Sequence, residues 1–171
     1  PFAFGDKWGW EAMGWFDILD MRLNGYQFHV DLLAGRERWT DPRVQAVFAR
    51  WAELLPFVQP GALERTGWEA AEAMLLKRAG MVFYATYAGE PARNQGVWDD
   101  LDMFPFPLFG NAWDAELAID APIDGLMLSK SPRNLAGART ILECVSTGAA
   151  QLTFLKSSPT SYLATVQRRD F

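Results

Sequence analysis

The feature that most constrains this chain is a run of amphipathic stretches between Trp10 and Leu76, each ended by a residue that a helix cannot carry forward. From Trp10 to Leu23, Met13, Phe16, Leu19 and Leu23 recur at the three- and four-residue spacing of one helix face. Asn24-Gly25 then stops the pattern, because glycine accepts the left-handed conformation just past a helix. A shorter helix over about Gln27 to Ala34 ends likewise at Gly35. Thr40-Asp41-Pro42 supplies a capping oxygen followed by proline at the first helical position. Val44, Val47, Phe48, Trp51 and Leu55 share the face of the helix that follows, which Pro56 stops. Thr66 and Glu69 form a capping box that opens another helix through about Leu76.

The texture changes after Ala79. Gly80 to Tyr87 (GMVFYATY) is β-branched and aromatic, as a strand would be. Asp102 to Phe106 reads as a second extended piece, restricted by Pro105 and Pro107 to an edge or a crossing. Gly125 to Leu128 reads as a short buried strand. Ser131-Pro132 is expected to cap a helix with Leu135, Ala138, Leu142 and Val145 on one face, and a last helix covers about Ala149 to Lys156. The pattern is α/β, with a boundary expected where the helix-rich part gives way, between 103 and 104.

Charge and rare residues exclude several functions. The net charge of −5 comes from interspersed signs, with no basic stripe of the kind nucleic acid or an anionic membrane requires. One Cys and one His cannot build a structural zinc site or a disulfide. Cys144 reads as a small buried hydrophobe on a helix, and His29 as a hydrogen-bonded structural imidazole. No nucleophile elbow, phosphate-cradling loop or dinucleotide fingerprint occurs, so neither a cofactor nor a metal is expected. No apolar stretch is long enough to span a bilayer.

Two chemistries remain. Asp99, Asp100, Asp102, Asp114, Glu116, Asp120 and Asp124 crowd one stretch, and a glycosidase needs two carboxylates. Acidic residues between elements are also ordinary turn formers. The 8 Trp and 12 Phe exceed what core filling alone explains. A sugar presents apolar C–H faces and hydroxyl edges, so a reversible sugar site needs flat aromatic platforms and a few polar groups. Trp8 and Trp10 at the chain entry, and Tyr84 and Tyr87 at a strand end, stand where aromatics can face a cleft. Trp51 belongs to the core face of its helix, while Trp15, Trp39, Trp98 and Trp113 fit either role.

Several segments, in order, resemble the extracellular solute-binding proteins that deliver carbohydrates to ABC importers. They are Trp15-Phe16-Asp17 through Arg22, Asn24-Gly25-Tyr26 and Phe28-His29; Thr40-Asp41-Pro42-Arg43-Val44 followed by Trp51; and Trp68-Glu69-Ala70-Ala71 followed by Ala79-Gly80-Met81. Phe104-Pro105-Phe106-Pro107, Asp120-Ala121-Pro122-Ile123-Asp124-Gly125 and the helix after Asn134 continue the series. Lys77-Arg78-Ala79-Gly80-Met81 departs from the family's Gly-Lys-Ala-Ala-Met, which puts the local turn in doubt.

The resemblance implies a maltose-binding-protein-like architecture of family 1: a type II periplasmic-binding-protein-like α/β fold, here incomplete, holding most of one lobe plus the returning part of the other. Residues 1–103 would be the second, C-terminal lobe, and 104–171 a crossing strand and the returning part of the first. A segment carrying the export signal, and with it any lipid anchor, would precede Pro1, and a helical portion would follow the last residue. The implied function is capture of a mono- or oligosaccharide in an inter-lobe cleft, outside the cell or in a periplasm, for ABC permease subunits, without catalysis. The implied ligand residues are Trp8, Trp10, Tyr84, Tyr87 and Asp124. Trp68 fits the motif, but its place at a helix start favours packing on the cap. The second reading is a carbohydrate-active hydrolase using the 99–124 stretch.

Overall fold

In a computed structural model, residues 1–85, 88–120 and 125–157 are described, with the backbone alone at 89, 90, 93, 98 and 155. Contacts divide the chain into two units, Pro1–Tyr84 with Asp99–Ala121, and Ala85–Trp98 with Pro122–Phe171.

The first unit grows from the amphipathic series. Helix α1 spans Glu11–Asn24, α2 Tyr26–Leu33, α3 Pro42–Ala52 and α4 Gly67–Leu75. Asp41 caps α3 by accepting the Arg43 N–H, and its contacts with Arg43 hold its carboxyl down to about 2. The capping box of α4 forms as the sequence requires, with Thr66 Oγ1 accepting from the Glu69 N–H and Glu69 accepting from the Thr66 N–H. Helix α1 is the centre: Trp15, Phe16, Ile18, Leu19 and Met21 pack against Phe28 and Leu32 of α2 and Val44 and Val47 of α3. Burying Leu19 or Leu32 completely contributes about 2 kcal/mol each. Met13, expected on this face, is exposed on the first turn of the helix.

The sheet is small. Strand β1 (Phe2–Ala3) runs parallel to β2 (Met81–Val82), Phe2 opposite Met81 and Ala3 opposite Val82. Ala3, Ala70 and Ala79 are buried together, and their small side chains let α4 lie close on the strand pair. Of the strand expected over Gly80 to Tyr87, the described residues form two positions, Met81 and Val82, opposite Phe2 and Ala3. Asp102 to Phe106 forms no strand: Pro105 and Pro107 cannot donate to a ladder, and Phe106 instead sets its ring 6.3 Å from Trp15 and 5.6 Å from Phe83.

The α1–α2 corner explains the polar residues of the Trp15-to-His29 motif. Asp20 has no exposed surface; its two oxygens receive Asn24 Nδ2 (2.7 Å) and His29 Nδ1 (3.0 Å). Gly25, at φ +86°, lies so close to Trp113 that a Cβ would meet the indole at 2.6 Å. Buried Arg22 donates to the carbonyls of Ala118 (3.0 Å) and Glu116 (3.4 Å), and Asn111 returns a bond to the Arg22 carbonyl. The Tyr26 N–H reaches Glu116 Oε2 at 2.8 Å. Residues 111–118 are therefore laid along α1 and α2 by bonds to a single corner.

The second unit contains α5 (Gly89–Asn94), α6 (Leu135–Val145) and α7 (Gly148–Ser157). Three expectations fail here. Gly125 to Leu128 is irregular, with Leu126 and Met127 exposed and no partner strand among the described residues. The cap of α6 is Asn134, which accepts the Gly137 N–H at 2.9 Å, rather than Ser131, so the helix starts at Leu135. Cys144 is exposed, because the face of α6 that carries it meets nothing that covers it among the described residues.

Two predictions follow from the Asp20 cluster. Asp20→Ala leaves His29 and Asn24 without their acceptor in a dry site and should lower stability by about 3 kcal/mol, read from urea unfolding. His29 also faces Asp17, whose Oδ1 is 3.7 Å from Nε2, and feels Asp120 on the returning segment. The hydrogen bond to Asp20 raises the His29 pKa above its ordinary 6.5. Burial raises those of Asp17 and Asp120. A raised folded-state pKa stabilises the protein fully below the unfolded value and is lost as pH climbs through the folded one. Unfolding midpoints should therefore fall as pH rises above the ordinary histidine value of about 6.5, with a shallower fall in His29→Gln.

Candidate functional site

The chain entry is a turn held down on both sides. The Asp6 N–H bonds the Ala62 carbonyl (2.8 Å), the Lys7 N–H bonds the Arg65 carbonyl (3.0 Å), and Asp6 Oδ1 accepts the Ala12 N–H in the first turn of α1 (3.0 Å). Two backbone ties thus fix the turn against the approach to α4, and the Asp6 side chain ties it to the start of α1. Trp8, at the tip of this turn, is 63% exposed.

Below the turn, four residues from three separate parts of the unit converge on the N-terminus of α4. Trp10 and Tyr84 have ring centroids 5.9 Å apart at 34°, and Trp68 meets the same Tyr84 edge-on at 6.0 Å and 79°. Tyr84, two residues past β2, is the shared ring of the group. Trp10 and Trp68 keep 37% and 44% of their surface exposed, so each has a face in the group and a face on solvent. Between them runs Glu11, 7% exposed, whose Oε1 accepts the Gly67 N–H at 2.8 Å. A carboxylate at the first turn of a helix answers an otherwise unpaired N–H and the positive end of the helix dipole.

Gly67 makes the arrangement possible. A Cβ there would fall on the Tyr84 ring and lie 2.6 Å from Glu11 Oε1. The structure brings Trp10 and Tyr84, expected separately as ligand residues, into one aromatic group, and adds Glu11, which sequence reasoning did not single out. Trp68, read as packing on its helix cap, meets Tyr84 edge-on and so is part of this group. Tyr87 and Asp124, the other two expected ligand residues, lie outside the described residues. Trp15 and Trp51 belong to the core, stacked 6.4 Å apart at 7°. Trp113 is taken up by Gly25.

Described members of the acidic stretch have structural employment. Asp114 accepts the N–H groups of Phe109, Gly110 and Asn111, Asp100 pairs with Lys77 at 3.1 Å, and Asp102 accepts the Met103 N–H. Glu116 serves Tyr26, and Asp120 belongs to the His29 cluster. Among the described residues no group of His, Cys, Asp and Glu is placed to hold a metal ion.

Gly67→Ala should force Tyr84 and Glu11 apart. We expect a changed near-ultraviolet circular dichroism signal from the aromatic group, with far-ultraviolet helix content kept.

No family model matches the chain. An uncharacterised ABC transporter extracellular-binding protein of Pyrococcus horikoshii is 23% identical over 155 residues, which is 90% of this chain and 34% of that protein. A solved structure of the bacterial solute receptor AcbH, described as having an exclusive preference for β-D-galactopyranose, is 41% identical. It superposes with a TM-score of 0.70 over 92% of this chain and 40% of its own. The chain thus spans about two fifths or less of the length of these relatives, one an extracellular-binding protein and the other a solute receptor. Over nine tenths of its own length, then, this chain is similar to one part of the extracellular solute-binding receptors of ABC transporters, as its ordered motifs imply.

Proposed function

We propose that this chain is part of the carbohydrate-binding component of a bacterial ABC importer, of type II periplasmic-binding-protein-like architecture. The observation that carries the reading is the 41% identity and TM-score of 0.70 with a sugar receptor across nearly the whole chain. The aromatic group of Trp10, Tyr84 and Trp68 at the start of α4 supports it, because exposed aromatic faces beside a buried carboxylate suit a ring with apolar faces and polar edges. The hydrolase reading has no such support.

On this reading residues 1–103 belong to the second lobe, the segment from Phe104 crosses between lobes, and the remainder returns to the first. Trp8, Trp10 and Tyr84 contact the sugar, with Tyr87 and Asp124 completing the set. Closure of the lobes follows from tighter binding of sugar to the closed form, and needs no covalent step. The partners are ABC permease subunits, and the site of action is outside the cytoplasmic membrane, in a periplasm or on a lipid anchor. Among the described residues no helix is long and apolar enough to cross a membrane.

The preference of AcbH makes D-galactose the first sugar to titrate. Titration of the full-length protein should give a saturable change in tryptophan fluorescence with galactose or another sugar of a panel. Trp10→Ala should weaken that binding by about tenfold or more, equivalent to about 1.4 kcal/mol. A flat response to every sugar, with a clear response to an unrelated solute, overturns the carbohydrate reading.

A further inference from the structure

Glu11 is a buried carboxylate only half used. Its Oε1 accepts the Gly67 N–H at 2.8 Å, while Oε2 is buried and has no hydrogen-bond partner among the described residues. An ionised carboxylate offers about four acceptor positions, and leaving them dry and unmatched is costly. A helix cap alone does not explain that cost, since a short Ser, Thr, Asp or Asn serves as a cap, and α4 already has Thr66 and Glu69 in that role. What distinguishes Glu11 is its company. Trp10 precedes it and Trp68 follows its backbone partner, and the Tyr84 ring lies over the same point above Gly67 that Glu11 Oε1 approaches.

We propose that Glu11 is a ligand-binding residue, whose Oε2 accepts a hydrogen bond from one hydroxyl of a pyranose resting on the Trp10–Tyr84–Trp68 group. The inference rests on the carbohydrate reading and deepens it. Oε1, held by Gly67, fixes the carboxylate plane, so Oε2 selects a hydroxyl at one position and one orientation. A sugar without that hydroxyl would leave the acceptor unmatched, which is how a site of this kind discriminates between epimers. Small rotations of the exposed Trp10 or Trp68 rings would open the path to it.

The test is a ligand–mutant cycle on the full-length protein, with galactose and its 2-, 3-, 4- and 6-deoxy derivatives titrated against wild type and Glu11→Gln. Glu11→Gln keeps a carbonyl oxygen for the Gly67 N–H and replaces the free acceptor by an amide NH2, so its melting temperature should stay near that of wild type. Galactose should bind the variant about tenfold more weakly, the loss expected when a charged acceptor is removed. For one deoxy sugar alone, the variant and wild type should bind equally. Glu11→Ala, which loses both ties, should in addition melt at lower temperature.

Galactose affinity within about twofold of wild type in Glu11→Gln overturns the inference while leaving the carbohydrate reading standing, as does an equal loss for every deoxy sugar. If wild type binds another sugar of the panel instead, the same cycle is run with that sugar's deoxy derivatives. If wild type binds no sugar at all, the carbohydrate reading itself fails, and the inference falls with it.

Discussion

Asp20 is a carboxylate without exposed surface in the middle of the most heavily buried helix, and the first unit is organised around it. A buried charge is tolerated only when its oxygens are matched, and here Asn24 and His29 match them from the end of α1 and from α2. That requirement fixes the angle at which α2 leaves α1. It leaves Gly25 in a conformation open to glycine and brings Arg22 and Tyr26 to the side where residues 111–118 attach. The attachment in turn brings Phe106 onto Trp15. One buried polar triad therefore determines where a segment some ninety residues later in the chain is laid down.

The aromatic residues divide by the same logic. Trp15 and Trp51, on helix faces turned to the centre, are consumed by the core. Trp10 and Trp68 stand at the first residues of α1 and α4, where the chain has just left a turn and the flanking backbone is exposed. Helix starts also carry unpaired N–H groups, and a carboxylate can be buried there at lower cost than elsewhere. A polar anchor and flat apolar faces are brought together as a consequence of helix geometry, before any ligand is considered.

Much of this was legible in the sequence. The Thr66–Glu69 box, the Asp41 cap, and the stops at Gly25 and Gly35 are local chemistry, settled within a turn of helix, and they form as read. The strands were overread, since Gly80 to Tyr87 has strand-like residues throughout, yet among its described residues only Met81 and Val82 pair, with Phe2 and Ala3. Cys144 was misread for the same kind of reason: an apolar helix face is buried only when another element covers it. Asp114 and Asp100, candidates for catalysis by proximity in sequence, are held in turns and an ion pair.

The sequence by itself determined where the helices of the first unit begin, that His29 is a hydrogen-bonded imidazole, and which family the ordered motifs resemble, because each depends on short-range spacing. The end of α3 it set too late, since the helix stops at Ala52, and Leu55 and Pro56 belong to a separate short turn. Only the tertiary structure decided that Asp20 is the partner of His29, that the Arg22–Gly25 corner holds residues 111–118, and that Glu11 lies beneath Trp10, Tyr84 and Trp68. Glu11 and Gly67 are 56 residues apart, and no local pattern marks a carboxylate whose partner is a backbone N–H. Such a pairing exists only once the chain entry has been pinned against the approach to α4.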